Sequence, residues 1–464
     1  HGANVEALNQ VRAYSPKKWG HIVAPTNRRP YGFNWEDWGR MDALEVLDAA
    51  LREYDIDPDR VYLTGHSMGG HGTWLLGALF PELFGAIGPS AGWITFWSYK
   101  VRHAFENPSA MEQMLMRPNL PSDTFALVRN YGQLGVYAIH GEKDDDVPVE
   151  ESRSMARTLA PFHKDFVYFE QPGAGHWWDV SPEAGNDCVD WAPLFDFFAR
   201  HARSGKDKVR EIDFSTPCPG ISASCHWLTI EAQTAPLKLS RARTRSLPAE
   251  SRFAGSTENV ARLSLDTAAL EKRERLGIEL DGQTIEGIPW PEETGKIWLR
   301  KNEGRWEISG KPSLSEKGPS RSGLFKDAFK NRMIFVYGTR GTPQENRWSA
   351  AKARFDAETF WYQGNGSVDV VPDVEFNADA DPDRNVILYG NAETNSAWKS
   401  LLRGCPVEVG RKGVRIGSRR FPGKNIGCLF LYPRAGSGAA SVGAVSGTGI
   451  EGLRLTNTIP YLYP

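Results

Sequence analysis

Along residues 1–205, short apolar runs alternate with segments whose apolar residues recur at helical spacing. The runs at 21–24, 61–64, 86–88, 135–140 and 166–169 read as strands. Between them, Met41, Leu44, Val46, Leu47 and Leu51 form one apolar face of a helix over 38–52, and Leu194 to Phe198 reads as a closing helix. Strand and helix in alternation predict a mostly parallel sheet covered by helices. From Lys206 the pattern changes to strands and tight turns, as at 227–232, at 276–280 before Asp281-Gly282, and at 296–300 before Asn302-Glu303-Gly304. A third pattern begins near Lys326: Met333 to Tyr337 leads through Gly338 to a helical stretch at 348–362, and Val386 to Tyr389 leads through Gly390 to another at 397–402. The expected architecture is an α/β domain at 1–205, a small all-β domain at 206–325 and a second α/β domain at 326–464.

Composition narrows the function classes. With 40% hydrophobic residues and a formal charge of -2 over 464 residues, the chain has no electrostatic bias toward nucleic acid, and it has no apolar run long enough to span a bilayer. Its five cysteines fit neither a zinc pattern nor a dense disulfide framework, although Cys218 and Cys225 are close enough in sequence to bridge a loop. The sequence opens at His1-Gly2-Ala3 without methionine, which reads as a fragment whose N-terminal strands and targeting information lie upstream.

The chemistry centres on Gly65-His66-Ser67-Met68-Gly69-Gly70, set between the apolar run 61–64 and the helical pattern that resumes at Gly72. A serine in a strand-to-helix turn, flanked by glycines that let backbones crowd, is the pattern of a nucleophile elbow; the alternative is a glycine-rich packing turn. A serine hydroxyl needs a base to take its proton and a carboxylate to orient that base. Asp144, with Asp145 and Asp146 as substitutes, follows the run 135–140, and His176 follows 166–169 in a Gly-Ala-Gly-His loop. His66 and His71 flank the elbow and His140 begins a turn, so they are poorer candidates for the base. The oxyanion requires two N–H groups, expected from Met68 and from Ala3 or Asn4. No metal or cofactor is required.

Together, His1-Gly2-Ala3, the elbow, His140-Gly141 with Asp144 before Val147-Pro148, and Gly175-His176 resemble an α/β-hydrolase of the prolyl oligopeptidase catalytic-domain superfamily, in its branch of esterases and predicted peptidases. The resemblance covers roughly the first two hundred residues and implies a serine hydrolase with Ser67, Asp144 and His176 as its triad. It leaves the scissile bond open. The sequence holds no propeller repeats, so any propeller would lie upstream of His1, and further domains follow the hydrolase region where in the peptidases that domain normally ends the chain; ester hydrolysis is therefore the expectation. A peptidase and a non-catalytic binding protein on the same fold are the alternatives. Trp93, Trp97 and Trp177 are expected to line a substrate pocket beside a lid at 95–125, and Arg28 to meet a substrate carboxylate. The substrate class is a small-molecule or polymer-borne ester or peptide, and a secreted or periplasmic setting is favoured.

Overall fold

Four parallel strands, β1 (Tyr62–His66), β2 (Ala86–Ser90), β3 (Gly135–Gly141) and β4 (Phe166–Gln171), lie side by side in that order. The computed structural model describes residues 4–28, 34–101, 107–313 and 315–462, and the chain divides into two compact units, His1–Lys311 and Pro312–Pro464. Around the strands of the first unit run helices α1 (Asn4–Arg12), α2 (Asp37–Glu53), α3 (Met68–Leu79), α4 (Ala110–Met116), α5 (Glu150–Leu159) and α6 (Ala192–Ala199). Both faces of the sheet are covered. Ile87, Val136 and Ala138 pack with Trp74, Leu75 and Leu79 of α3 and with Met155 and Leu159 of α5. Their neighbours along the strands, Ala86, Tyr137 and Ile139, pack on the other side with Leu194, Phe197 and Phe198 of α6. The period of two along a strand thus divides the core between two layers, which is why these runs read as continuously apolar.

Residues 21–24 do not form the expected strand. An apolar run becomes a strand only where a neighbour takes up its N–H and C=O groups, and among the described residues β1 pairs with β2 alone. Residues 21–24 instead line a cavity of about 880 Å³ beside Tyr62, Leu63 and Thr64.

Residues 211–309 form two five-stranded sheets. One carries strands Arg305–Ser309, Lys296–Asn302, Val260–Asp266, Leu228–Gln233 and Ser224–Cys225; the other carries Gln283–Pro289, Arg275–Leu280, Arg252–Glu258, Ser240–Leu247 and Glu211–Thr216. Alternate residues of both sheets meet in one core around Phe214, Trp227, Ile230, Phe253, Leu263 and Ile278. Cys225 points into that core and Cys218 does not take part in it, so the two thiols stay free and the expected bridge does not form.

This β-sandwich is joined to α3 by buried polar side chains. Asn130, fully buried, donates from Nδ2 to the carbonyls of Ala78 (2.7 Å) and Ser215 (2.8 Å), and its Oδ1 accepts from the N–H of Ser215 (2.7 Å). Ser222 Oγ donates to the carbonyl of Leu79, and the Glu82 carboxylate accepts from Ser224 Oγ (2.8 Å) and the N–H of His226 (2.7 Å). Carbonyls at the end of a helix have no intrahelical partner, so Asn130, from the turn before β3, and Ser222 of the sandwich region satisfy groups that α3 leaves open.

In the second unit a five-stranded sheet has the order Asp369–Pro372, Met333–Tyr337, Asn385–Tyr389, Ser441–Gly447, Gly427–Pro433, the first four parallel and the last antiparallel. Three short antiparallel strands, Val407–Gly410, Gly413–Ile416 and Arg419–Pro422, form a separate sheet. The helix expected at 348–362 runs from Pro343 to Gly364. Apolar periodicity starts late, but a capping box sets the true start: Thr342 Oγ1 accepts from the N–H of Glu345, and Glu345 returns the bond to the N–H of Thr342. Within this helix the buried Lys352 pairs with the buried Asp356 (2.6 Å), whose other oxygen accepts from Tyr389 (3.0 Å) and Tyr461 hydroxyls. Among the described residues no helix is long and apolar enough to cross a membrane.

Two stability outcomes follow from these buried polar groups. Asn130→Ala removes three hydrogen bonds and strands the backbone of Ser215, and is expected to cost about 2–4 kcal/mol in urea unfolding followed by tryptophan fluorescence. Lys352→Met leaves Asp356 an uncompensated buried carboxylate and is expected to cost about 3–5 kcal/mol, whereas the double variant Lys352→Met/Asp356→Leu recovers most of that loss; equal destabilisation of both variants would contradict the pairing.

Candidate active site

The turn from β1 into α3 is made by a single residue. Ser67 sits at φ 59°, ψ −117°, a conformation that costs a residue with a Cβ about 1–3 kcal/mol and persists only where the surroundings impose it. They do so here by contact: a Cβ on Gly70 would lie 2.2 Å from the carbonyl oxygen of Ser90 and 2.8 Å from Cα of Gly92. Only glycine lets α3 start this close to the end of β2. The N–H of Ser67 donates to the same Ser90 carbonyl (3.0 Å), and the carbonyl of Ser67 accepts from the N–H of His71 (3.0 Å). Met68 is the first residue of α3, where the helix has no acceptor for a backbone N–H. Its thioether accepts a weak contact from Asn27 Nδ2 (3.7 Å).

Loops after β3 and β4 meet beside this turn. A Cβ on Gly141 would lie 2.2 Å from the carbonyl oxygen of Gly175, and the N–H of Lys143 donates to the carbonyl of Ala174 (2.7 Å). That contact brings Asp144 to His176: His176 Nδ1 lies 2.7 Å from Asp144 Oδ2, with both side chains buried. The remaining oxygen, Oδ1, accepts from the N–H groups of Asp146 (3.0 Å) and Val147 (2.8 Å), an Asx-type turn. Asp145 and Asp146 are exposed, so of the three aspartates it is Asp144 that reaches the histidine. Burial pushes the Asp144 carboxyl up, but hydrogen bonds from His140, His176 and the Val147 N–H outweigh it and hold the group well below the usual carboxylate range. An ionised carboxylate only accepts, so Nδ1 of His176 carries the proton and Nε2 presents a lone pair.

His66 and His140, poor candidates for a base from sequence, are packed into the same cluster. The His66 ring lies 4.6 Å from that of His176 and 4.1 Å from that of Trp177. Because Ser90 Oγ donates to the carbonyl of Cys188, His66 Nδ1 donates to Ser90 Oγ (3.0 Å). Burial first, and then the neighbouring His176, hold His66 well below the ordinary imidazole value, so it remains neutral. His140 lies on the far side of Asp144, its Nε2 3.2 Å from Oδ2. The only hint of this in the sequence is the four-residue spacing from His140 to Asp144. Among the described residues no hydrogen bond joins Ser67 Oγ to His176 Nε2, although the contact of His66 with His176 places the two at the same end of the sheet.

The remaining candidate positions separate. Trp93 is buried, stacked between His71 (4.9 Å) and Tyr99 (4.5 Å), and Trp74 is core. Trp177 is 54% exposed and forms a wall beside His176, while Trp97 is half-buried in a short turn next to Phe96. On α4, within the expected lid, Met111, Met114 and Leu115 face solvent. Arg28 is paired with Glu45 of α2 (2.8 Å), so its carboxylate partner is internal to the chain. Asn4 begins α1, and Ala3 lies outside the described residues.

Comparison with known proteins adds the family. The chain is 26% identical over 330 residues to an uncharacterized secreted protein of Arthroderma benhamiae, which covers 67% of this chain and 34% of the relative; the chain thus spans about a third of that protein's length. Solved structures similar to it include a thermostable esterase (23% identity, 36% of this chain and 38% of that chain, TM-score 0.25). Another is the acylaminoacyl peptidase of Pyrococcus horikoshii (17% identity, 33% of this chain and 27% of that chain, TM-score 0.26). Residues 28–205, a segment that contains the Ser67 turn and the loops of Asp144 and His176, match the prolyl oligopeptidase family.

Proposed function

We propose that the protein is a serine hydrolase of carboxylic esters, with Ser67 as nucleophile, His176 as general base and acid, and Asp144 as the group that orients His176. The observation that carries this reading is the 2.7 Å bond from His176 Nδ1 to the buried Asp144, formed beside a serine held at φ 59° between β1 and α3. Nε2 of His176 accepts the Ser67 hydroxyl proton as Oγ attacks the ester carbonyl. Substrate binding draws Oγ and Nε2 into hydrogen-bond reach, a contact that often tightens only in the Michaelis complex. The N–H of Met68 donates to the oxyanion, with the loop of Ala3 and Asn4 supplying the second donor. The tetrahedral intermediate then expels the alcohol, which takes its proton from His176. Water, deprotonated by the same imidazole, releases the acid and restores Ser67.

The ester reading is supported by the β-sandwich and second α/β unit that follow the hydrolase domain. Trp177 supplies an apolar wall for an aryl or sugar-bearing leaving group. Peptide hydrolysis is the second reading, since the matched family is named for a peptidase and one similar structure is an acylaminoacyl peptidase. Similarity to a secreted relative supports an extracytoplasmic setting.

A fluorophosphonate probe read by intact-mass spectrometry tests the nucleophile. One adduct is expected on the wild type and none on Ser67→Ala, with kcat for p-nitrophenyl esters reduced by about four orders of magnitude or more in the variant. Ester turnover exceeding aminoacyl-anilide turnover supports the esterase; the reverse ranking would replace it with the peptidase. Asp144→Asn is expected to lower kcat by about 10³- to 10⁴-fold. Because the Asp144 carboxyl lies below its ordinary value in the folded state, its contribution to stability is complete above about pH 4 and is lost as the pH falls further. The stability gap between wild type and Asp144→Asn should therefore narrow in urea titrations below pH 4, and a gap independent of pH would contradict the assignment.

A further inference from the structure

We propose that His140 is a positioning residue that fixes the Asp144 carboxylate from behind, through both the carboxylate and the turn that carries it, an inference that rests on the Ser67 reading above. His140 is the penultimate residue of β3 and has no exposed surface. Its Nε2 lies 3.0 Å from the carbonyl oxygen of Val147 and 3.2 Å from Asp144 Oδ2. A carbonyl only accepts, so Nε2 carries the proton. The other nitrogen, Nδ1, lies 2.7 Å from Ser152 Oγ on α5 and accepts its hydroxyl proton in the neutral ring. The Val147 carbonyl thus selects the tautomer whose N–H lies on the Asp144 side, and the Ser152 hydroxyl meets the remaining lone pair. Its neighbour Glu151 is engaged elsewhere, accepting from the N–H of Ile94 and from Ser98 Oγ (2.8 Å each).

Val147 closes the loop of contacts. Its carbonyl accepts from His140, while its N–H donates to Asp144 Oδ1 (2.8 Å). The carboxylate is therefore held at Oδ1 by turn amides, and its Oδ2 lies between the N–H of His176 and the Nε2 edge of His140, whose one N–H is shared with the Val147 carbonyl. Rotation of the carboxylate away from His176 would break contacts on both oxygens at once. A buried histidine that only filled space would need neither the Ser152 hydroxyl nor an N–H aimed at the acid turn. Supporting shells of this kind hold a reacting group within the tolerance that catalysis demands, and displacement by about 1 Å costs on the order of 10²-fold in rate.

His140→Gln places an amide N–H near the position of Nε2, whereas His140→Leu removes the donor. Fluorophosphonate titration gives the fraction of competent sites, and the labelling rate constant is then read per titrated site. His140→Leu is expected to titrate fully, to label about 10- to 100-fold more slowly per site, and to lose kcat by a similar factor with KM unchanged, while His140→Gln stays within about fivefold of wild type. Unchanged rate per site in His140→Leu, with only fewer competent sites or a lower Tm, would overturn the proposal and leave His140 a packing residue. Should His140→Leu fail to fold, Ser152→Ala is read in its place and is expected to slow labelling several-fold per site; wild-type labelling would overturn the proposal. Low-field proton NMR provides a readout independent of catalysis: slowly exchanging imidazole N–H signals from His140 and His176 are expected in wild type beside those of the other buried histidines, with the His140 signal absent and the His176 signal displaced in His140→Leu. An undisplaced His176 signal would overturn the positioning role even on a protein that takes no label, whereas absence of label on wild type alone would overturn the Ser67 reading instead.

Discussion

The backbone of α3 begins within contact distance of the end of β2, and much of the candidate site depends on that approach. With Gly70 set against the Ser90 carbonyl, the chain has one residue in which to turn from strand to helix, and Ser67 takes the strained conformation. The same Ser90 carbonyl accepts the Ser67 N–H, and the Ser90 hydroxyl fixes the His66 tautomer. One residue at the end of β2 thereby holds the backbone of Ser67 and the imidazole beside His176. The strain at Ser67 is offset by α3 itself, whose side chains from Gly69 to Leu79 are buried and whose terminal carbonyls are satisfied by Asn130 and Ser222.

A second close approach brings Asp144 to His176. Gly141 and Gly175 let the loops after β3 and β4 touch, and the contact delivers a carboxylate to an imidazole at the cost of burying both. Burial alone would protonate the carboxyl. Donors from His140, His176 and the Val147 amide reverse that tendency, so Asp144 stays ionised and acts only as an acceptor. For His66 burial prevails instead, and it holds that imidazole well below its ordinary value.

Elements with strong local signals were legible without coordinates. The parallel strands at 62–66, 86–90, 135–141 and 166–171 were visible as apolar runs, and the elbow was visible because glycine, serine and glycine fall between a β-rich run and a helical pattern. Weaker signals misled. The run 21–24 has strand composition but no ladder partner among the described residues, and Cys218 and Cys225 are neighbours in sequence whose surroundings differ in the sandwich. Arg28 has the chemistry of a substrate contact and is engaged by Glu45.

By itself the sequence determined the four parallel strands and the placing of Ser67, Asp144 and His176 just after three of them, because periodicity and glycine placement are local properties that tertiary packing rarely reverses over long runs. Choosing among Asp144, Asp145 and Asp146 required the tertiary structure: three adjacent aspartates are chemically alike, and only the contact between two loops, about thirty residues apart in the chain, buries one of them against His176. The roles of His66 and His140 were likewise invisible in one dimension. An imidazole's function is set by what meets each ring nitrogen, and those partners, Ser90, Ser152 and the Val147 carbonyl, come together only when the sheet is formed.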